Sequence, residues 1–490
     1  MKFKYTTLLF TLAALITSCT KDFEEINTNP NAPETTNTEF LMSDVLVSTA
    51  YAYQENAVDR RPASAARYLT LVRNTGYDLL DWGPVDWDDI YARLAVNKTF
   101  METAQKRSEN QYVAIGKIMK AFNFGYLTDL YGDIPYSQAL KSKEANLIYP
   151  EYDQQQAIYP DLLKELREAN DILKGNSQEI NAKGDVMFKG KALAWRKFAN
   201  SLRLRMLLRI SKNYAPAFTE MQEILNDKTA FPIFESSADN AEVAYLGNIA
   251  AYSWPGGPLA MIDFDYQKTK VSKELVDRLI QRNDPRLGVW VEPVKSTNGS
   301  TVDLNRYVGV PNAIDAPSAY NGGEDHVSVF SSAFFRKNGG ASNALLKASL
   351  ITYTEQCFIL AEAVQKGKLT VSGETAESLY YKGIRESMSN YAVTAAQTYF
   401  DQSLVKYNGT LEQLITQKWL AMLFKGSEGW FDQRRTGYPA FVTGPLAAGR
   451  GIPKRYTYPD SESAKNRVNY QKAISVFGAD NQTTLMWYLK

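Results

Sequence analysis

Apolar residues recur at near-helical spacing over most of this chain, and no other feature restricts its fold as much. Residues 39–58 read as a first helix, with Thr38 placed to cap it. Residues 86–107 read as a second, where Trp87, Ile90, Leu94 and Phe100 follow Asp86 as the N-cap. Residues 110–131 carry Val113, Ile115, Ile118, Phe122 and Leu127 and stop before Gly132 and Pro135. Further helices are expected over 154–174, 188–212, 345–366, 373–391 and 409–426. Residues 231–343 break the pattern. Turn signals such as Pro255-Gly256-Gly257-Pro258 and Asn321-Gly322-Gly323 separate short apolar runs there. That stretch is expected to be an irregular, loop-rich insertion with a few short strands. The tail from Trp430 also reads as irregular.

Paired helices of this length, joined by short turns, point to a mainly α fold of tetratricopeptide-like helical repeats, with Trp87 to Tyr126 a candidate pair. No long linker interrupts residues 40–490. A single domain is therefore expected over 39–490, with its scaffold in 39–230 and 344–430 and the 231–343 insertion packed on it.

The first residues bear on compartment. Lys2 and Lys4 precede an apolar run from Leu8 to Ile16, and Thr17-Ser18-Cys19 follows. This order is that of a secretory signal peptide over residues 1–18, with a run too short to span a bilayer. A cysteine at the cleavage point is the acceptor for acyl chains, so Cys19 is expected to be lipidated and to hold the chain on a membrane. Residues 19–38 are polar and rich in Asn, Thr, Glu and Pro, as a flexible tether would be. With Cys19 acylated, Cys357 has no disulfide partner, and its apolar surroundings make it a small buried hydrophobe. Stability must come from a large core, which 490 residues at 44% hydrophobic content can supply.

Charge argues against nucleic acid. Removing residues 1–18 takes two of the 55 basic residues and none of the 54 acidic ones, leaving a formal net charge of −1. The chemistry of catalysis is sparse. His326 is the only histidine, which removes His-cluster metal sites, HExxH zinc sites and most triads. No cofactor is expected. Glycoside hydrolysis needs only two carboxylates, and Asp81, Asp86, Asp88 and Asp89 lie beside Trp82 and Trp87. Their other reading is electrostatic: acids at the start of a helix favour its dipole. Arg203, Arg205, Arg209, Arg434 and Arg435 are expected to pair with internal acids such as Asp129 and Asp133 and lock helices together. The 30 Tyr, 22 Phe and 8 Trp are the unusual part of the composition, because Tyr and Trp faces suit sugar rings as well as cores.

Several segments occur in an order that resembles a known family. They are Asp129-Leu130-Tyr131-Gly132-Asp133-Ile134-Pro135-Tyr136, Trp195-Arg196-Lys197-Phe198-Ala199-Asn200-Ser201-Leu202-Arg203, Asn283-Asp284-Pro285-Arg286-Leu287 and Gly429-Trp430-Phe431-Asp432-Gln433-Arg434-Arg435. Together with the lipoprotein signal they resemble the SusD/RagB outer-membrane lipoproteins of Bacteroidetes. The resemblance implies a helical-repeat scaffold, no catalytic activity and a cell-surface location. It also implies binding of an oligosaccharide, or in some members a peptide, for a SusC-like TonB-dependent transporter. It places ligand contacts in two regions, Arg73 to Trp87 and Tyr245 to Trp254. Within them Trp82, Tyr77, Tyr252 and Trp254 are the expected stacking platforms, and Asn74, Asp81 and Asn248 the expected partners of sugar hydroxyls. A peptide ligand, and more remotely a surface glycoside hydrolase, are the alternatives.

Overall fold

The computed structural model describes residues 37–58, 60–73, 75–295, 306–335 and 346–490. Cys19, most of the tether and Asn74 lie outside these residues. The longer helices are α1 (Thr38–Glu55), α2 (Asp88–Lys106), α3 (Asn110–Tyr131), α4 (Gln155–Gly175), α5 (Ala192–Ile210) and α6 (Ala217–Asn226) in the first half. They continue as α7 (Lys273–Gln281), α8 (Tyr353–Gln365), α9 (Ala376–Ser389), α10 (Leu411–Ala421), α11 (Glu428–Thr436) and α12 (Arg467–Phe477). Consecutive members pack side by side: α2 on α3, α3 on α4, α4 on α5, and α8 on α9. Close approach needs small residues. A Cβ on Gly125 of α3 would sit 2.5 Å from Met206 Cε of α5, and one on Gly383 of α9 would sit 2.7 Å from the Phe358 ring of α8. The mainly α, helical-repeat expectation holds.

The strands are short and pair antiparallel: β1 (Leu69–Leu71) with β5 (Thr269–Val271), β2 (Ile134–Pro135) with β3 (Tyr152–Asp153), β4 (Ala241–Val243) with β8 (Ala348–Ile351), and β6 (Val291–Glu292) with β7 (Val329–Phe330). β1–β5 and β4–β8 tie the middle region to the scaffold on both sides.

Several boundaries differ from expectation. Residues 348–351 are strand β8, and the helix starts only at Tyr353, where the Thr352 side chain accepts from the Glu355 N–H. A short apolar run fits either period, and pairing with β4 decided it. Thr38 is the first residue of α1 and donates its hydroxyl to Glu109 rather than capping. Asp86 accepts from the Asp88 N–H at 2.8 Å, one residue ahead of the N-cap position held by Trp87. The tail is not wholly irregular: α11 and α12 lie in it.

Buried residues from Met42 to Leu489 belong to one hydrophobic cluster. Inside it lies a set of paired charges. Arg209 of α5 meets Asp129 of α3 and Glu428 of α11, Arg205 meets Glu355 of α8, and Tyr53 of α1 donates to Glu428 at 2.8 Å. Arg435 bridges Glu362 and Asp432. The expected arginine pairing is thus observed with Asp129. Asp133 instead accepts from the Gln155 N–H at 2.8 Å, and Arg203 lies over the Phe231 ring at 5.4 Å. Cys357 is buried, and that burial pushes its thiol up to about 12.

Candidate ligand-binding site

A cleft of about 1010 Å³ opens between the outer face of α1 and residues 246–265. The helix contributes Asp44, Ser48, Tyr51 and Glu55, spaced so that one face carries them all. The opposing segment is held by its own backbone. Gly247 N–H donates to Tyr252 O at 2.9 Å, and Ser253 Oγ donates to Ile249 O at 2.7 Å, which closes a short loop carrying Asn248 and Tyr252. Its far end is anchored by Trp254, 1% exposed, whose Nε1 donates to Phe334 O at 2.6 Å. At Gly256 any Cβ would come within 2.7 Å of that indole nitrogen, so only glycine lets the chain pass.

Four rings step from the cleft into the core. Tyr252, 40% exposed, lies 6.5 Å from Tyr51; Tyr51 stacks on Tyr245 at 4.5 Å; Tyr245 meets Trp254 at 6.0 Å. Tyr51 donates its hydroxyl to Ala244 O at 2.8 Å, and burial raises its pKa above the ordinary tyrosine range. Leu246, Leu259, Ile262 and Phe264 stand exposed around the same segment, a concentration of apolar surface that marks a contact region. Glu55 pairs with Arg60 and Asp265 with Lys268. The cleft thus sets an open aromatic face beside apolar walls and hydrogen-bonding groups.

The expected site residues fall into separate groups. Tyr252 lines the cleft, exposed Asn248 sits in its loop, and Trp254 lies beneath it. Trp82 and Tyr77 are elsewhere, under the C-terminal tail. Trp82, 7% exposed, donates from Nε1 to Tyr77 O at 2.9 Å and meets Trp430 and Tyr456 edge-on. Tyr77 lies under the Arg61 guanidinium at 4.8 Å, and exposed Asp81 is 3.5 Å from Arg450. Trp82 and Trp254 therefore offer no open face, a correction with a plain cause: a large indole gains more by burial than any loop gains by exposing it. Tyr51 is the residue that sequence reading passed over. Its signal was there, in Asp44, Ser48, Tyr51 and Glu55 recurring along one polar face of α1.

Residues 30–459 match a family described as "SusD-like_2: Starch-binding associating with outer membrane". Among solved structures, a SusD homolog from Bacteroides fragilis superposes with a TM-score of 0.80 at 27% identity, covering 93% of this chain and 100% of that one. A chitin-binding protein superposes with a TM-score of 0.75 at 26% identity, with the same coverage. A chitin-binding SusD homolog from Flavobacterium johnsoniae gives 0.73 at 22% identity, covering 92% and 97%, and that likeness speaks to fold alone. No curated protein matches the chain in sequence. Among the described residues no helix is long and apolar enough to cross a membrane. The matched segment takes in α1 to α11 and both sides of the cleft, and the chain belongs to the SusD-like family of outer-membrane-associated binding proteins.

Proposed function

We propose that this chain is a surface-exposed outer-membrane lipoprotein, anchored through Cys19, that captures an oligosaccharide and passes it to a SusC-like TonB-dependent transporter. Residues 39–490 act as a single domain, and the chain performs no catalysis. The observation that carries the reading is Tyr252, exposed over the Tyr51–Tyr245 stack at the mouth of a cleft of about 1010 Å³. A ring held on one side by a neighbouring ring loses less freedom when a sugar stacks on it. The volume lies at the upper end of the ~300–1,000 Å³ found for small-molecule sites, room for more than one sugar ring. Asn248, Ser48 and Asp44 supply groups for hydroxyls. Tyr77, Asn74 and Asp81 form a second candidate contact region, while Trp82 and Trp254 act by holding their loops.

The test is calorimetry on the full chain carrying Cys19→Ser, against malto- and chito-oligosaccharides and a peptide panel. Selective sugar binding that falls about tenfold, about 1.4 kcal/mol, in Tyr252→Ala supports the reading; sugar binding indifferent to Tyr252 overturns the site. The exposed aliphatic rim of Leu246, Leu259 and Ile262 favours the second reading, a peptide ligand, and binding confined to peptides would select it. Mass spectrometry of the mature chain checks the anchor, where acyl chains on Cys19 are expected.

A further inference from the structure

The stripe of α1 that lines the cleft runs on past it. Asp44, Ser48, Tyr51 and Glu55 form the lining. One turn before Asp44 the same stripe carries Phe40, because residues four apart on a helix stand one above the other. Phe40 is 68% exposed, and Asp44 is exposed as well.

The wall beside this stretch is built. Asn181 Nδ2 donates to Glu39 Oε1 at 3.2 Å, and Ser43 Oγ donates to Gly184 O at 2.8 Å. Glycine at 184 allows the approach, since a Cβ there would meet Glu39 Cβ at 2.8 Å. The same segment continues to Val186, which lines the cleft. One wall therefore flanks the helix from Glu39 into the cleft.

Between Phe40 and Tyr51 the stripe is polar. Ser48 Oγ donates to Asp44 O at 2.7 Å, which leaves the hydroxyl oxygen free to accept, and the Asp44 carboxylate has no partner among the described residues. Rings at two ends with acceptors between them complement a chain of sugars, whose CH faces stack and whose hydroxyls donate in repeat along one direction. Tyr51, whose ring lies 6.5 Å from that of Tyr252, stands eleven residues after Phe40, about 16 Å along the helix axis. A disaccharide does not reach across that length; a chain of several rings does.

We propose, resting on the glycan reading of the cleft, that its ligand is an extended oligosaccharide laid along α1, one ring stacked on Tyr252 and a later one on Phe40. Phe40 then selects for chain length.

Calorimetry on the full chain carrying Cys19→Ser, with malto- and chito-oligosaccharides from disaccharide to hexasaccharide, tests it. In the series that binds, affinity should climb with length and then level off. Phe40→Ala should weaken the hexasaccharide about tenfold and leave the shortest binding member unchanged, so that the climb stops sooner. Phe40→Tyr, which keeps a ring, should bind like the parent, and Tyr252→Ala should weaken every member. In Phe40→Trp, the added emission should shift with the hexasaccharide and stay constant with the shortest member at equal saturation. An unchanged melting temperature shows that the Phe40 variants are folded. Equal loss at all lengths in Phe40→Ala, no loss at any, or affinity that does not grow with length overturns the role of Phe40, while Tyr252-dependent binding in the same experiment keeps the cleft's reading. Absence of saccharide binding, or binding indifferent to Tyr252, overturns both.

Discussion

In the helical scaffold, Arg205 and Arg209 meet Glu355, Asp129 and Glu428 inside the core; in the middle region, Tyr252 turns a ring toward an open cleft. The two regions share one hydrophobic cluster and one kind of chemistry. What differs is whether the polar and aromatic groups find partners within the chain. Where helices stack, a residue on one has a fixed neighbour on the next, and a charge can be answered at a distance of hundreds of residues. Where the backbone runs as turns and two- to four-residue strands, a ring such as Tyr252 is held at the edge of the core and faces outward. The scaffold supplies rigidity, and the loops spend it on recognition.

That contrast breaks most readily at Glu428. Glu428→Gln removes the buried negative charge facing Arg209 and leaves a single amide oxygen where Arg209 and Tyr53 each had one; it should cost about 3–5 kcal/mol of unfolding free energy, the penalty of splitting a buried pair, and chemical denaturation that shows less than 1 kcal/mol would mean the network is not what holds the helices. Trp254→Ala should cost a similar ~3–5 kcal/mol through the cavity it leaves, and it should also weaken binding, because the loop bearing Tyr252 loses its anchor. Acid sharpens the comparison next. Burial pushes the Glu362 carboxyl up, but Arg435 and Lys366 outweigh it and hold it at about 2, against 4.5 unperturbed. A depressed folded-state value gives stability that is present above the unfolded value and is lost as pH falls between these limits. About 3 kcal/mol should disappear over that window, and Glu362→Gln should flatten the curve. The smallest effect on stability belongs to Tyr252→Ala, within about 0.5 kcal/mol, while ligand affinity drops about tenfold; a variant that unfolds would show Tyr252 to be core.

The stacked helices were legible because their signal is redundant: in α3 Val113, Ile115, Ile118, Phe122 and Leu127 recur between clear stop signals, and the observed bounds coincide with the expected 110–131. Residues 345–352 carried too few positions to separate a strand from a helix, and only the partner strand β4 resolves them. The site was legible by region more than by residue. Tyr252 and Trp254 stand two apart in the same loop and looked alike in sequence, yet one faces the cleft and the other is sealed under Phe334 and Phe424. Their difference depends on residues about 80 and 170 positions away, which no local pattern contains. Trp82 was hidden for the same reason, by Trp430 and Tyr456. Tyr51 was hidden by success: a helix that fitted its period so well was read as frame alone.

The charge network that joins Tyr53, Asp129, Arg209 and Glu428 also sets an order of events during synthesis. The first three are made long before Glu428, and until it arrives the guanidinium of Arg209 has only one of its two acids. The N-terminal helices therefore have no complete fold of their own to fall into, and contacts this distant in sequence form slowly. A chain stopped before residue 428 would lack the acid that Arg209 and Tyr53 share and would keep only the contact of Arg209 with Asp129.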